Sequence, residues 1–161
     1  MAADARNADL IMTFRIRDAV PEDLAVLREV FRRSSLSNES DRAKLLAHPE
    51  VLELSGAAAT EGRVRVAVVD GVILGFATWL PTVGAVELED LFVDPDRMRR
   101  GIGRSLVQDI ATIAANHGAD RVEVTASQKN ARAFYAKVGF VADDYVQTTF
   151  GPAIRMHLDL T

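Results

Sequence analysis

The chain has 161 residues, a net charge of −4, 48% hydrophobic residues and no cysteine. That length fits one domain with a core of its own, and the negative balance disfavours nucleic acid as a general partner. The missing cysteines exclude disulfides, thiolate catalysis and cysteine metal sites, and no apolar run approaches the roughly 20 residues of a membrane span.

Met1 to Asp9 is polar and Ala-rich and lacks the apolar stretch of a signal peptide. Residues 1–11 are expected to form a disordered tail or leader, with a single domain over 12–161. Phe14 to Arg17 alternates apolar and basic residues and predicts a first strand. Pro21, Glu22 and Asp23 then mark a helix start, and Leu24, Leu27, Val30 and Phe31 recur at the spacing of one buried helical face. Ser34 to Ser40 reads as a polar break. Glu39 to His48 reads as a second short helix, with Leu45 and Leu46 inward and Pro49 as its stop. Val51 to Gly62 has no clear period.

From Val64 to Val69 the pattern is that of a strand, and Asp70-Gly71 is a hairpin turn. The return strand runs from Val72 to Leu80, with Gly75 marking a bulge or a close backbone approach and Pro81 ending it. A turn over Thr82 to Ala85 leads to a central strand, Val86 to Val93. Asp94-Pro95-Asp96 stops that strand. Apolar residues then recur at helical spacing from Gly103 to His117, and Gly118 closes the helix. Arg121 to Thr125 is the next strand, parallel to the central one by the right-handed crossover rule. A short helix, Asn130 to Lys137, precedes two last strands, Val141 to Gln147 and Ile154 to Leu160, joined by a turn at Phe150-Gly151-Pro152.

The most informative stretch is the passage from the central strand to the crossover helix. Arg97, Arg99, Arg100 and Arg104 surround Gly101-Ile102-Gly103 at the point where the helix begins. The first turn of a helix offers unpaired N–H groups and the positive end of its dipole, and glycine lets a ligand come close. Together these suit a phosphate or pyrophosphate. The Gly followed by Lys-Ser/Thr of a Walker A loop is absent, and Leu106 stands where a dinucleotide fingerprint needs its third glycine.

The run Met98-Arg99-Arg100-Gly101-Ile102-Gly103-Arg104-Ser105 resembles the pyrophosphate loop of the GNAT superfamily of acyl-CoA N-acyltransferases. The family pattern is Gln/Arg-x-x-Gly-x-Gly/Ala after a strand that ends in apolar-Asp-Pro. Met98 departs from it, with Arg97 one residue early. A second segment, Ser127 to Phe140, resembles the family's Asn before a short helix, followed by Phe-Tyr and Gly-Phe. The likeness covers about Arg63 to Leu160.

The resemblance implies an α/β (α+β) fold: a mixed, mostly antiparallel central sheet flanked by helices, with a splayed parallel strand pair forming the acyl-CoA slot. Backbone groups of Leu91, Phe92 and Val93 would pair with the cofactor arm. Met98, Arg99, Arg100, Gly101, Ile102, Gly103, Arg104 and Ser105 would hold the pyrophosphate. Gln128 or Asn130 would bind the pantetheine arm, the sequence favouring neither. Tyr135 would be the general acid that protonates the departing thiolate; read by periodicity alone it is an ordinary core tyrosine. Glu87 and Glu89, on one face of the central strand, match positions of a catalytic carboxylate, with Glu123 a third candidate; the alternative is a solvated pair of side chains.

The implied activity is N-acetyltransfer from acetyl-CoA, as co-substrate, to a primary amine by direct attack in a ternary complex. No metal is expected, and the three histidines show no ligand spacing. The acceptor is a small molecule or a peptide; nucleic acid and membrane partners are not expected. A homodimer and a cytoplasmic location complete the expectations. The alternative is a non-catalytic domain that binds CoA or acetyl-CoA as a sensor.

Overall fold

Apolar alternation builds the sheet. A computed structural model describes residues 13–37, 39–49, 54–98, 100–149 and 151–160. Seven strands lie in the order β1-β2-β3-β4-β5-β7-β6: β1 Arg15–Asp18, β2 Val64–Val69, β3 Val72–Thr82, β4 Ala85–Val93, β5 Arg121–Ala126, β6 Val141–Thr148 and β7 Gly151–Asp159. The pairs β1–β2, β2–β3, β5–β7 and β6–β7 are antiparallel, and β4–β5 is parallel. The helices are α1 Leu24–Leu36, α2 Glu39–Ala47, α3 Ala57–Thr60, α4 Ile102–Asn116 and α5 Lys129–Lys137. This is the mixed, mostly antiparallel architecture expected from the sequence. Among the described residues no helix is long and apolar enough to cross a membrane.

Close contacts divide the chain into two compact units. The first comprises residues up to Thr78 and Leu91–Leu106. Its core is Leu27 and Val30 of α1 packed with Val64, Val66, Val68, Ile73 and Phe76, and Phe31 and Phe92 lie against that cluster. The Phe31 and Phe92 rings meet edge to face at 4.8 Å, an arrangement that favours the ring quadrupoles. A capping group fixes the entry to α1. The Asp23 carboxylate accepts from the Val20 amide at 2.8 Å and from Arg17 at 2.8 and 3.3 Å. The Arg17 hydrogen bond, opposed by partial burial, holds the Asp23 carboxyl below the usual carboxylate range.

The second unit comprises Trp79–Asp90 and the chain from Val107 on. Val122, Val124 and Ala126 of β5 and Ile154 and Met156 of β7 are buried. Their odd-numbered neighbours Arg121, Glu123, Thr125, Arg155 and His157 are half-buried or exposed on the opposite face. The closing segment is tied in by Asp120, whose amide donates to Gly84 O at 2.9 Å and whose carbonyl accepts from Leu160 N at 2.9 Å.

Several boundaries differ from the sequence reading. Helix α1 runs through Ser34 and Ser35 to Leu36, and the Ser37 hydroxyl closes it on Ser34 O at 2.6 Å. Leu46 is 52% exposed, whereas Leu45 is half-buried. Strand β3 continues through Pro81 to Thr82, because proline is tolerated at an exposed strand end. The β3–β4 turn therefore shrinks to Val83-Gly84. Gly151 and Pro152 belong to β7; Phe150 and residues 51–53 of the unpatterned stretch lie outside the described residues.

The Gly75 expectation has a specific form. Ala67 pairs with Gly75 and Val68 with Ile73, so Leu74 is the extra residue of a bulge. A Cβ on Gly75 would sit 2.7 Å from Phe92 O and 3.2 Å from Val93 Cα. Glycine here lets β3 and the end of β4 approach backbone to backbone.

Candidate functional site

Strand β4 is longer than its pairing with β5. The parallel ladder registers Ala85↔Arg121, Val86↔Val122 and Glu87↔Glu123. Strand β4 goes on to Val93, while β5 continues to pair with β7 as far as Ala126. Leu91, Phe92 and Val93 thus lie beyond the registered ladder. All three are half-buried.

The turn that follows is held at both ends. Asp94 N donates to Leu74 O at 2.8 Å, its carboxylate accepts from the Asp96 amide at 3.0 Å, and its carbonyl accepts from Arg97 N at 2.8 Å. Arg33, in the last turn of α1, grips the same segment from outside, with Nη1 on Asp94 Oδ2 at 3.0 Å and Nη2 on Asp96 Oδ2 at 2.8 Å. Gly101 has φ of 80°, a left-handed conformation that a side chain strains against. Its carbonyl accepts the first helical bond of α4, from Ser105 N at 3.0 Å. The amides of Ile102, Gly103 and Arg104 therefore belong to the first helical turn, which has no preceding carbonyl to bond. Ile102 is 1% exposed and anchors the turn in the core. Arg100, Gly101 and Arg104 are exposed, Gly103 and Ser105 half-buried, and Met98 is 53% exposed. Arg99 lies outside the described residues.

In the second unit Tyr135 is 7% exposed, between Phe134 and Phe140 at ring distances of 5.3 and 5.2 Å. Burial, with the Asp90 carboxylate adding to it, pushes the Tyr135 phenol well above its ordinary pKa. It therefore carries its proton at every physiological pH. Helix α5 starts one residue before Asn130; Gln128 precedes it in extended conformation and accepts from Arg132 N at 2.9 Å through its carbonyl. Gln128 is half-buried and Asn130 exposed.

The candidate carboxylates separate. Both oxygens of Glu87 accept from Arg155, at 2.6 and 2.9 Å. Glu123 accepts from the same guanidinium at 2.5 Å and from Arg121 Nε at 3.2 Å. Glu89 is exposed on β4. The hydrogen bonds that Arg155 donates to Glu87, the largest influence, and to Glu123 raise its pKa despite partial burial. Nearby, His157 Nδ1 lies 2.8 Å from both Asp143 oxygens.

Arg155 and the His157–Asp143 pair were not among the sequence candidates. The only signal for them is the odd-numbered alternation of polar residues along β7, which acquires meaning once β7 is registered against β5. A shallow groove of about 450 Å³ is lined by Thr13, Phe14, Arg15 and Val68–Gly71; it includes none of the predicted site residues.

Comparison with known proteins matches this geometry. Among curated protein sequences none matches. Solved structures do. PaiA N-acetyltransferase from Thermoplasma acidophilum, in complex with coenzyme A, is similar at TM-score 0.75 and 21% identity, over 92% of this chain and 99% of that one. A GCN5-related N-acetyltransferase (Aminotransferase, Class-II) from Rhodopseudomonas palustris gives TM-score 0.75 and 28% identity over 92% and 97%. YncA, a putative acetyltransferase from Salmonella typhimurium with its cofactor acetyl-CoA, gives 0.68 and 23% over 93% and 95%. The family profile described as Acetyltransferase (GNAT) family matches residues 25–140. With its strand, arginine-rich glycine turn and helix N-terminus inside that match, the chain belongs to the GNAT acetyltransferase family.

Proposed function

We propose that the protein transfers the acetyl group of acetyl-CoA to a primary amine. The observation that carries this reading is the sequence of events along one stretch. Strand β4 outruns its parallel ladder after Glu87. It then runs through a clamped Asp94-Pro95-Asp96 turn into Gly101 and the first-turn amides that open α4. The backbone of Leu91, Phe92 and Val93 pairs with the pantetheine arm. The pyrophosphate rests on the amides and positive charge of residues 98–105, with Gln128 or Asn130 on the arm. Coenzyme A in the Thermoplasma protein and acetyl-CoA in the Salmonella one support the choice of ligand.

The amine nitrogen attacks the thioester carbonyl, a C–N bond forms and the C–S bond breaks. Without cysteine the chain offers no thiol to carry the acetyl group, which favours direct attack over a thioester on the protein. Three proton transfers are needed, two from nitrogen and one to sulfur. The acceptor arrives as an ammonium; it loses one proton before its lone pair can attack and a second as the tetrahedral intermediate collapses to the amide, and Glu89 or Glu87, through water, passes both in turn to solvent. The leaving thiolate takes a proton from Tyr135, which is then reprotonated from solvent. Because burial resists a phenolate, this transfer accompanies C–S cleavage rather than preceding it.

The burial of Tyr135 is also what favours the second reading, a domain that binds CoA without transferring from it. Thiol release from acetyl-CoA with a panel of small amines and peptides tests both. Turnover with at least one acceptor, lost by about 10²-fold or more in Tyr135→Phe, supports transfer with a general acid. Tight coenzyme A uptake with no turnover on any acceptor supports the sensor. No uptake at all removes both.

A further inference from the structure

We infer that Arg155 is a positioning residue for coenzyme A: its guanidinium staples β4 to β5 at the last rung of their ladder and fixes where the two strands part. The inference rests on the reading that the coenzyme arm lies along β4 beyond that rung.

The geometry is specific. Arg155 sits on β7 opposite Thr125 of β5. Its Nη1 donates to Thr125 Oγ1 at 2.8 Å and to Glu87 Oε1 at 2.6 Å, and its Nη2 to Glu87 Oε2 at 2.9 Å and Glu123 Oε2 at 2.5 Å. One side chain thus crosses β5 and ends on β4. Glu87 and Glu123 form the third and last registered pair of the parallel ladder. The staple is therefore at the fork itself.

Its role follows from what would happen without it. Neighbouring strands are about 4.8 Å apart, and like charges directly opposite each other destabilise a pair. Glu87 and Glu123 would be two carboxylates on adjacent strands, with Arg121 on the far oxygen of Glu123 as the remaining counter-charge. His157, opposite Glu123 on β7, is engaged with Asp143. Parallel ladders are slightly weaker per residue than antiparallel ones, and three rungs offer little resistance to that repulsion. The planar fork of arginine satisfies both carboxylates at once; a lysine ammonium is a point charge that cannot reproduce it.

Calorimetry with coenzyme A and amide hydrogen exchange test the staple on the full chain. Arg155→Met is expected to weaken coenzyme A by about tenfold and to speed exchange over 86–90. KM for acetyl-CoA rises in parallel, by a larger factor than any change in kcat. Arg155→Lys recovers part of the affinity, about threefold weaker than wild type. If wild type takes up coenzyme A and Arg155→Met binds it equally well, the staple is overturned even if the melting temperature falls. If Arg155→Met does not fold, Arg155→Lys decides, and unchanged affinity overturns the inference. Failure of wild type to bind overturns the functional reading itself, a result distinguishable from either.

Discussion

Gly75→Ala separates sterics from chain entropy by sign. Gly75 is not among the residues with positive φ, so alanine fits its backbone conformation. On entropy alone the substitution would stabilise the fold by about 0.4–1 kcal/mol. The structure argues the opposite. The new Cβ would lie 2.7 Å from Phe92 O and 3.2 Å from Val93 Cα. A comfortable carbon–oxygen contact is about 3.3 Å, so one backbone must retreat by roughly 0.6 Å. Neither is the free end of a side chain. Overpacking of this kind costs about 1–3 kcal/mol; after the entropic gain, a net loss of about 1–2 kcal/mol remains. In a chain of this size each kcal/mol moves the melting temperature by about 2–4 °C, so the expected drop is roughly 2–8 °C. Phe92 and Val93 also carry the backbone proposed to meet the coenzyme arm. Calorimetry should therefore show coenzyme A binding weakened by about threefold or more. A melting temperature equal to or above that of wild type would refute the contact, and unchanged affinity at a lowered melting temperature would detach Phe92 and Val93 from the ligand.

Other expectations concern charge and anchoring. Tyr135 keeps its proton in the folded chain beyond the pH at which an unfolded tyrosine ionises. The unfolded state then holds fewer protons, so stability is complete below about pH 10 and falls above it by up to 1.4 kcal/mol per pH unit; urea melts at pH 9 to 11 should lose that slope in Tyr135→Phe. Asp23 has the opposite sense. Its folded pKa is depressed by Arg17, so its contribution is present above about pH 4 and is lost as pH falls through the folded value. Asp23→Ala should cost about 1–2 kcal/mol at pH 7 and less near pH 3. Arg33→Met should loosen the Asp94–Asp96 turn and weaken coenzyme A by about threefold, measured by calorimetry, with kcat little changed.

What the sequence disclosed depended on whether the signal was local. Alternating valines with Asp70-Gly71 specify the β2–β3 hairpin by themselves, and the turn's positive φ values, 49° at Asp70 and 77° at Gly71, are those such a dipeptide accepts. The passage from β4 to α4 was equally legible, because Pro95, the arginines and Gly101 all act within a few residues of where they stand. The end of α1 was misjudged because serines weaken a helix without stopping it, and Ser37 completes the last turn. Leu46 was misplaced because helical spacing gives a face only relative to a partner. The Arg155 bridge was invisible for a deeper reason: it joins residues 68 and 32 positions apart. It exists only in the register that sets Arg155 against Thr125. The His157–Asp143 contact depends in the same way on the shift in the β6–β7 pairing between Ala142 and Tyr145.

The grip of Arg33 on Asp94 and Asp96 has a practical corollary for making chimaeras. The arginine stands three residues before α1 ends at Leu36. The Arg33 half of this grip therefore lies on the N-terminal side of residues 37–62. A graft that exchanges residues 37–62 for those of another family member, with its junction placed after Leu36, leaves that mooring intact, whereas a junction at Arg32 severs it.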